Sequence, residues 1–277
     1  MPKLELFDET FDRNRAASYE LSIQISLNGF SLCVKDQVKQ CYVALASNSF
    51  TMPPENENDW HPAIGQITTA YDWIKSDFAR TTLCFESIAY TFCPQELFEP
   101  QKAKQILALI HTLDDLDEIR FSMLPDGLVC IYSIPSMLAG EWLEVKPKTN
   151  FYGYCEPLLA YQRLTASSAI VSVSNQLATI ALTKSDRLLH CCSMPIQTPE
   201  DTTYHLLNIS QTLELKPEEL EVTLIAIGAK YDEYEPLLSR FFTNIKLYKP
   251  WGDFHYSYLL NRYKTRYPNL FIQSLCE

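Results

Sequence analysis

Two stretches of the chain, opening at Leu21 and at Ala169, follow the same course, and that repetition constrains the fold more than any other feature. In the first, residues 21–27 (LSIQISL) alternate apolar and polar side chains with the period of a half-buried strand. Asn28-Gly29, a favoured two-residue hairpin turn, leads into residues 30–34, and Lys35-Asp36-Gln37 leads into residues 38–45. The second stretch joins residues 169–173 through Ser174-Asn175-Gln176 to residues 177–182, then turns at Lys184-Ser185-Asp186 into residues 187–194. A helix follows each meander. One spans about residues 62–75, with Ile64, Ile67, Tyr71 and Ile74 at helical spacing; the other spans about 199–213, with Thr198 as N-cap and Glu200 and Asp201 favourable to its dipole. An offset of 148 lays Ile25-Ser26 on Val173-Ser174 and Ser31-Leu32 on Thr179-Ile180. The shared order of elements carries the repeat more than these few matches do.

Between and after the meanders the pattern predicts strands at 81–85 and 88–92, a helix from Pro94 to about residue 113, and a hairpin of 118–123 with 128–134 about Pro125-Asp126-Gly127. A helix over 137–144 precedes a stretch, 146–153, whose Pro147, Asn150 and Gly153 mark a boundary. The chain therefore reads as α/β with two lobes, 1–150 and 151–277. The second lobe adds a buried strand at 220–227, a helix over 233–242, a strand at 245–248 and a C-terminal helix over about 254–267.

Composition bounds the function. Seven glycines in 277 residues, no two closer than 13 apart, exclude both the Walker loop and the dinucleotide fingerprint, which need clustered glycines to let backbone N–H groups reach phosphate. They exclude a Gly-x-Ser-x-Gly nucleophile elbow as well. The net charge of -11 argues against a whole-surface nucleic-acid footprint. Nine cysteines, mostly inside apolar strand-like runs, read as buried thiols; with no apolar leader and no apolar run of membrane-spanning length, they give a cytoplasmic reading.

Two lobes that each open with a meander and a helix resemble the actin, hexokinase and Hsp70 ATPase superfold, especially the smaller bacterial actin-like cell-division and pilus-assembly proteins. That superfold carries an Asp-x-Gly type phosphate and magnesium loop after the first strand of each lobe. Carried over by position, these loops fall at Ser26-Leu27-Asn28-Gly29 and Ser172-Val173-Ser174-Asn175, and neither holds an acidic residue. The adenosine loop falls at Ile227-Gly228-Ala229-Lys230, with one glycine of the expected pair. The resemblance implies a degenerate actin-like member without a cofactor. Segments 93–98 (CPQELF), 131–135 (IYSIP) and 200–207 (EDTTYHLL) resemble, more closely, a bacterial family known as domain of unknown function 3822, which brings no activity with it.

Three clusters stand out as candidate sites. His190-Cys191-Cys192 puts His190 and Cys192 on one face of a strand, but no zinc spacing accompanies it. Asp114, Asp115, Asp117 and Glu118 read as a solvated turn. The strongest positive feature is residues 246–267, where Lys246, Lys249, Arg262, Lys264 and Arg266 against Asp253 interleave with seven aromatic rings. That composition suits a protein hot spot, with stacking on nucleic acid a weaker reading and a docked structural helix the bland one. We expect Trp251, Tyr258, Arg262, Lys264 and Arg266 to contact a protein partner. The functional expectation is a non-catalytic interaction or scaffold protein with a degenerate nucleotide site; the alternative is an ATP-dependent kinase or ATPase.

Overall fold

A computed structural model describes residues 3–174, 177–185, 187–226 and 230–276. The chain divides into two units: Met1–Tyr154 with Gly252–Arg262 and Cys276–Glu277, and Cys155–Trp251 with Tyr263–Leu275. In chain order the first contains strands β1 (Leu4–Phe7), β2 (Tyr19–Ser26), β3 (Gly29–Asp36) and β4 (Cys41–Ser49), helix α1 (Trp60–Ala70), then β5 (Arg80–Phe85) and β6 (Tyr90–Pro94). It continues with α2 (Ala103–Ala108), β7 (Asp117–Met123), β8 (Leu128–Pro135), α3 (Ser136–Val145) and β9 (Thr149–Tyr152). The second contains α4 (Glu156–Thr165), β10 (Ala169–Val173), β11 (Leu177–Lys184), β12 (Arg187–Pro195), α5 (Pro199–Thr212), β13 (Glu221–Ala226), α6 (Lys230–Leu238) and β14 (Asn244–Leu247). The chain then returns to the first unit for β15 (His255–Tyr256) and α7 (Tyr258–Asn261) and closes in the second with α8 (Pro268–Ile272).

Both predicted meanders form. In the first unit β4, β3 and β2 pair antiparallel, and β5 and β9 follow parallel to β2, in the order β1-β4-β3-β2-β5-β9. In the second, β12, β11 and β10 pair antiparallel, and β13 and β14 follow parallel to β10. The strand order and directions therefore agree between the two sheets. Every residue of β3 is buried, as expected for a central strand covered on both faces. Helix α1 turns Trp60, Ala63, Ile64 and Ile67 inward at helical spacing, against α3, whose Trp142 is fully buried and donates its Nε1–H to Thr149 Oγ1 at 2.9 Å. In the second unit Val171, Ile180, Leu206, Val222, Leu224 and Leu238 form one core between the sheet and α5 and α6. Thr198 and Asp201 close a reciprocal capping box on α5.

The turn between β3 and β4 lies at 37–40 rather than at Lys35-Asp36-Gln37, because Lys35 and Asp36 still pair with Tyr42 and Cys41. The structure departs more widely from the sequence reading in three further places. A helix from Pro94 to about residue 113 does not form: Cys93 and Pro94 stay extended, paired with Val129 and Leu128, and only α2 is α-helical. Pro100 resets the chain just before it, because a residue preceding proline is disfavoured in the helical region. The stretch 146–153 is not merely a connection. It holds β9, which pairs with β5, so the division falls after Tyr154. The continuous C-terminal helix over about 254–267 is replaced by β15, α7, a run of turns and α8. His255 N–H donates to the Gln40 carbonyl at 3.0 Å and Ser257 N–H to the Tyr42 carbonyl at 3.1 Å, so sheet hydrogen bonds outcompete the helix there. This pairing places residues 252–262 with the first unit rather than the second.

Candidate functional site

The turns that follow β2 and β10 are the positions where an actin-like protein would meet phosphate and magnesium. In the first unit the turn is closed on itself. Ser26 Oγ donates to the Gly29 carbonyl at 3.2 Å and accepts the Asn28 N–H at 3.3 Å, while the Asn28 carbonyl accepts the Phe50 N–H at 3.1 Å. Gly29 is held by a close approach: a Cβ there would stand 2.3 Å from the Asn48 carbonyl oxygen. The turn thus offers a hydroxyl already engaged and an exposed Leu27, with no carboxylate to hold a magnesium ion.

In the second unit Ser174 N–H donates to the Leu177 carbonyl at 2.9 Å, as does Ser174 Oγ at 3.3 Å. Asn175 and Gln176 lie outside the described residues, as do Ile227, Gly228 and Ala229 of the single-glycine adenosine position. Lys230, which follows them, reaches back and donates Nζ–H to the Ser174 carbonyl at 2.5 Å. Burial lowers the pKa of Lys230, opposed by the nearby Glu233 carboxylate. An ammonium therefore sits against the second turn, where the superfold would place a metal-binding acid.

The other clusters resolve into structural roles. His190, Cys191 and Cys192 stand in β12 opposite Leu182, Ala181 and Ile180, all three half-buried. Burial pushes the Cys192 thiol up to about 12 and the His190 imidazole below its ordinary value, so this pair is held neutral rather than activated. His205, on α5, lies against the Tyr204 ring. Asp114 and Asp117 accept backbone N–H groups at Leu116 (3.2 Å) and Asp114 (2.9 Å), the bonds of a turn. Among the described residues no group of three or more His, Cys, Asp or Glu side chains could hold a metal ion.

The C-terminal segment is spread between the two units. Tyr258 and Arg262 belong to the first; Trp251, Lys264 and Arg266 belong to the second. Tyr258 is 93% exposed, Arg262 and Arg266 are exposed, and Trp251 and Lys264 are half-buried. Arg262 and Arg266 do not share one helical face, since α7 ends at Asn261 and the Arg266 N–H closes a turn onto the Tyr263 carbonyl at 2.8 Å. Much of the aromatic content is packing. Phe254 meets Tyr42 edge-on, and Tyr256 stacks on Tyr42 with centroids 5.2 Å apart. Tyr248 packs on Tyr161 at 5.2 Å.

Sequence reasoning passed over a charged row on the first sheet. Lys35 lies opposite Glu20, which in turn lies opposite Arg80. Lys35 is 7% exposed, with Nζ 4.7 Å from the centroid of Phe254, and burial lowers its pKa. Arg80 donates to the Tyr152 hydroxyl at 3.0 Å and to the Cys276 carbonyl. The only sequence signal was three charged residues on strands otherwise rich in apolar side chains.

Solved structures of similar fold bear on the whole chain. A Bacteroides thetaiotaomicron protein with an actin-like ATPase fold and unknown function is 19% identical, covers 97% of this chain and 100% of its own, and superposes with a TM-score of 0.83. A PilM–PilN type IV pilus biogenesis complex gives 12% identity, 93% of this chain and 99% of that one, and a TM-score of 0.57. At these identities the likeness establishes the actin-like fold. No helix among the described residues is long and apolar enough to cross a membrane. No curated protein matches the chain. A family model described as protein of unknown function matches residues 8–245, and the chain accordingly belongs to the DUF3822 family.

Proposed function

We propose that this protein is a non-catalytic interaction or scaffold module whose actin-like nucleotide site is degenerate. The observation that carries the reading is the closed turn at Ser26, Asn28 and Gly29, which spends its hydroxyl on the backbone and presents no acid. The Lys230 ammonium on the Ser174 carbonyl supports it, because a cation there opposes a second one. A PilM structure of the same fold is of a complex with PilN, and we carry over from it the expectation of a protein partner. We place partner contacts on Trp251, Tyr258, Arg262, Lys264 and Arg266, with support from the 93% exposure of the Tyr258 ring. The rival reading, an ATP-dependent enzyme, draws on the fold alone.

A thermal melt with magnesium and ATP, beside a hydrolysis assay, tests the proposal. A ligand at 100 times its Kd adds about 2.7 kcal/mol of stability. The expected result is no shift in Tm and no turnover at millimolar ATP. Magnesium-dependent hydrolysis that disappears in a carboxylate variant would overturn the scaffold reading.

A further inference from the structure

The chain between β5 and α3 forms a small sheet of its own, in the order β6-β8-β7, with α2 packed against it. Among the described residues β8 is the only strand that pairs with β7, so the outer edge of β7 meets no strand. In the large sheet of the same unit, by contrast, the outward side of β4 is covered by β1 and β15.

The register fixes which backbone groups face that edge. Leu124 N–H donates to the Leu128 carbonyl at 2.8 Å and Ser136 N–H to the Leu116 carbonyl at 3.2 Å, at the two ends of the β7–β8 pair. Antiparallel hydrogen bonding alternates, so Glu118, Arg120 and Ser122 direct their backbone groups to β8. Asp117, Ile119, Phe121 and Met123 direct theirs outward. Asp117 N–H closes the preceding turn onto the Asp114 carbonyl at 3.2 Å, which leaves Ile119, Phe121 and Met123 to define the edge.

Their side chains lie on the face that α2 covers. Ile119 packs against the core of Ala103, Leu107, Val129 and Ile131. Phe121 meets the Phe98 ring at 4.8 Å yet stays 41% exposed, and Met123 is 55% exposed. The turn after α2 adds Leu109 and Ile110, both exposed. An edge strand that offers outward backbone groups beside exposed apolar side chains is a template for a further strand.

Charge identifies the strand it would take. Residues 86–135, which carry this sheet and α2, hold eight Asp and Glu against three Lys and Arg. All three cations are engaged: Lys102 with Glu99 at 2.6 Å, Arg120 with Glu118 at 2.6 Å, and Lys104 with the Asp115 carbonyl at 3.5 Å. Exposed Asp114 and Asp115 precede the edge and exposed Asp126 follows it. A second copy of β7 suits this edge poorly. Antiparallel self-pairing centred on Arg120 sets Arg120 against its own copy and Asp114 against Asp126, and like charges placed opposite each other destabilise a strand pair.

We propose that the outer edge of β7 binds an extended, basic segment of a partner protein, which adds a fourth strand to this sheet and lays alternate apolar side chains beside Phe121 and Met123. This surface is separate from the C-terminal residues given to a partner above, and it does not depend on the state of the nucleotide site.

Fluorescence anisotropy and hydrogen exchange on the full chain test it, with a labelled peptide of alternating lysine and valine as probe. One control replaces lysine by glutamate. The other replaces valine by proline, which keeps the charge and removes the N–H groups that a ladder needs. The lysine–valine peptide should bind at least tenfold more tightly than either control and slow amide exchange at Ile119, Phe121 and Met123 at least tenfold. Met123→Lys should weaken binding at least tenfold and leave the unliganded Tm unchanged, since that side chain is exposed. Asp115→Asn with Asp126→Asn provides a milder variant should the first fail to fold. Absence of binding by the lysine–valine peptide would overturn the proposal. So would equal binding of either control, protection confined to other strands, or full affinity in the folded variants. A dimer that Met123→Lys dissociates would give the edge to a second copy and overturn it as well.

Discussion

Gly29 stands at the start of β3, hard against β4: a side chain there would meet the Asn48 carbonyl oxygen at 2.3 Å and the Ser49 Cα at 2.8 Å. Both obstacles are backbone atoms that cannot rotate aside. Gly29→Ala should therefore destabilise the first unit by about 1–3 kcal/mol, the range for overpacking, measured by denaturant unfolding. Gly127, at φ +73° with open space around it, should lose only about 1–2 kcal/mol on the same change, through backbone strain alone. His190 gives a pH-dependent prediction. Burial lowers its folded-state pKa below the ordinary 6.5, so between the two values the unfolded chain binds more protons. Stability should thus be free of this penalty above pH 6.5 and fall as pH drops through the interval beneath it. His190→Gln should flatten that part of the acid limb in a pH series of melts; an unchanged slope would remove the assignment.

At the scale of elements, the C-terminal strap shows how one segment mixes packing with exposure. Phe254 is 8% exposed, edge-on to Tyr42 and beneath the Lys35 ammonium. Tyr258, four residues on, is 93% exposed. Phe254→Ala should cost about 3–5 kcal/mol, as for other buried aromatic truncations, whereas Tyr258→Ala should stay within about 0.5 kcal/mol. Equal losses in urea unfolding would show that the strap is not docked this way. The same strap shows why helical spacing misled. Tyr256, Leu259, Leu260, Tyr263 and Tyr267 fit one helical face on paper, yet two ladder bonds to β4 take the chain at residues 255–257. A local period cannot register a strand that lies more than two hundred residues away. By contrast, the start of α5 was legible because its N-cap Thr198, Pro199 and the acidic Glu200 and Asp201 act within one turn.

At the scale of the molecule, the last 26 residues serve both units. They contribute Phe254 and Leu260 to the first, and Leu270, Phe271 and Ile272, with α8 packed on α4, to the second. Deletion of residues 252–277 should expose apolar surface in each. Hydrogen exchange should then show lost protection at β4 and at α4 together, since each deleted large apolar side chain is worth about 2–5 kcal/mol. Loss at one element alone would mean that the tail belongs to a single unit.

The sequence by itself determined the two meanders, the Asn28-Gly29 turn, the helices that follow the meanders and the exclusion of glycine-rich phosphate loops. Each of these rests on neighbours within a few residues or on composition, which the linear order carries. Tertiary structure decided that residues 149–152 are a strand, that the tail divides between two units, and that Lys230 reaches Ser174. It also left the outer edge of β7 without a paired strand among the described residues. Those facts depend on which distant backbone supplies a partner, and a hydrogen bond across 56 residues leaves no period in the chain.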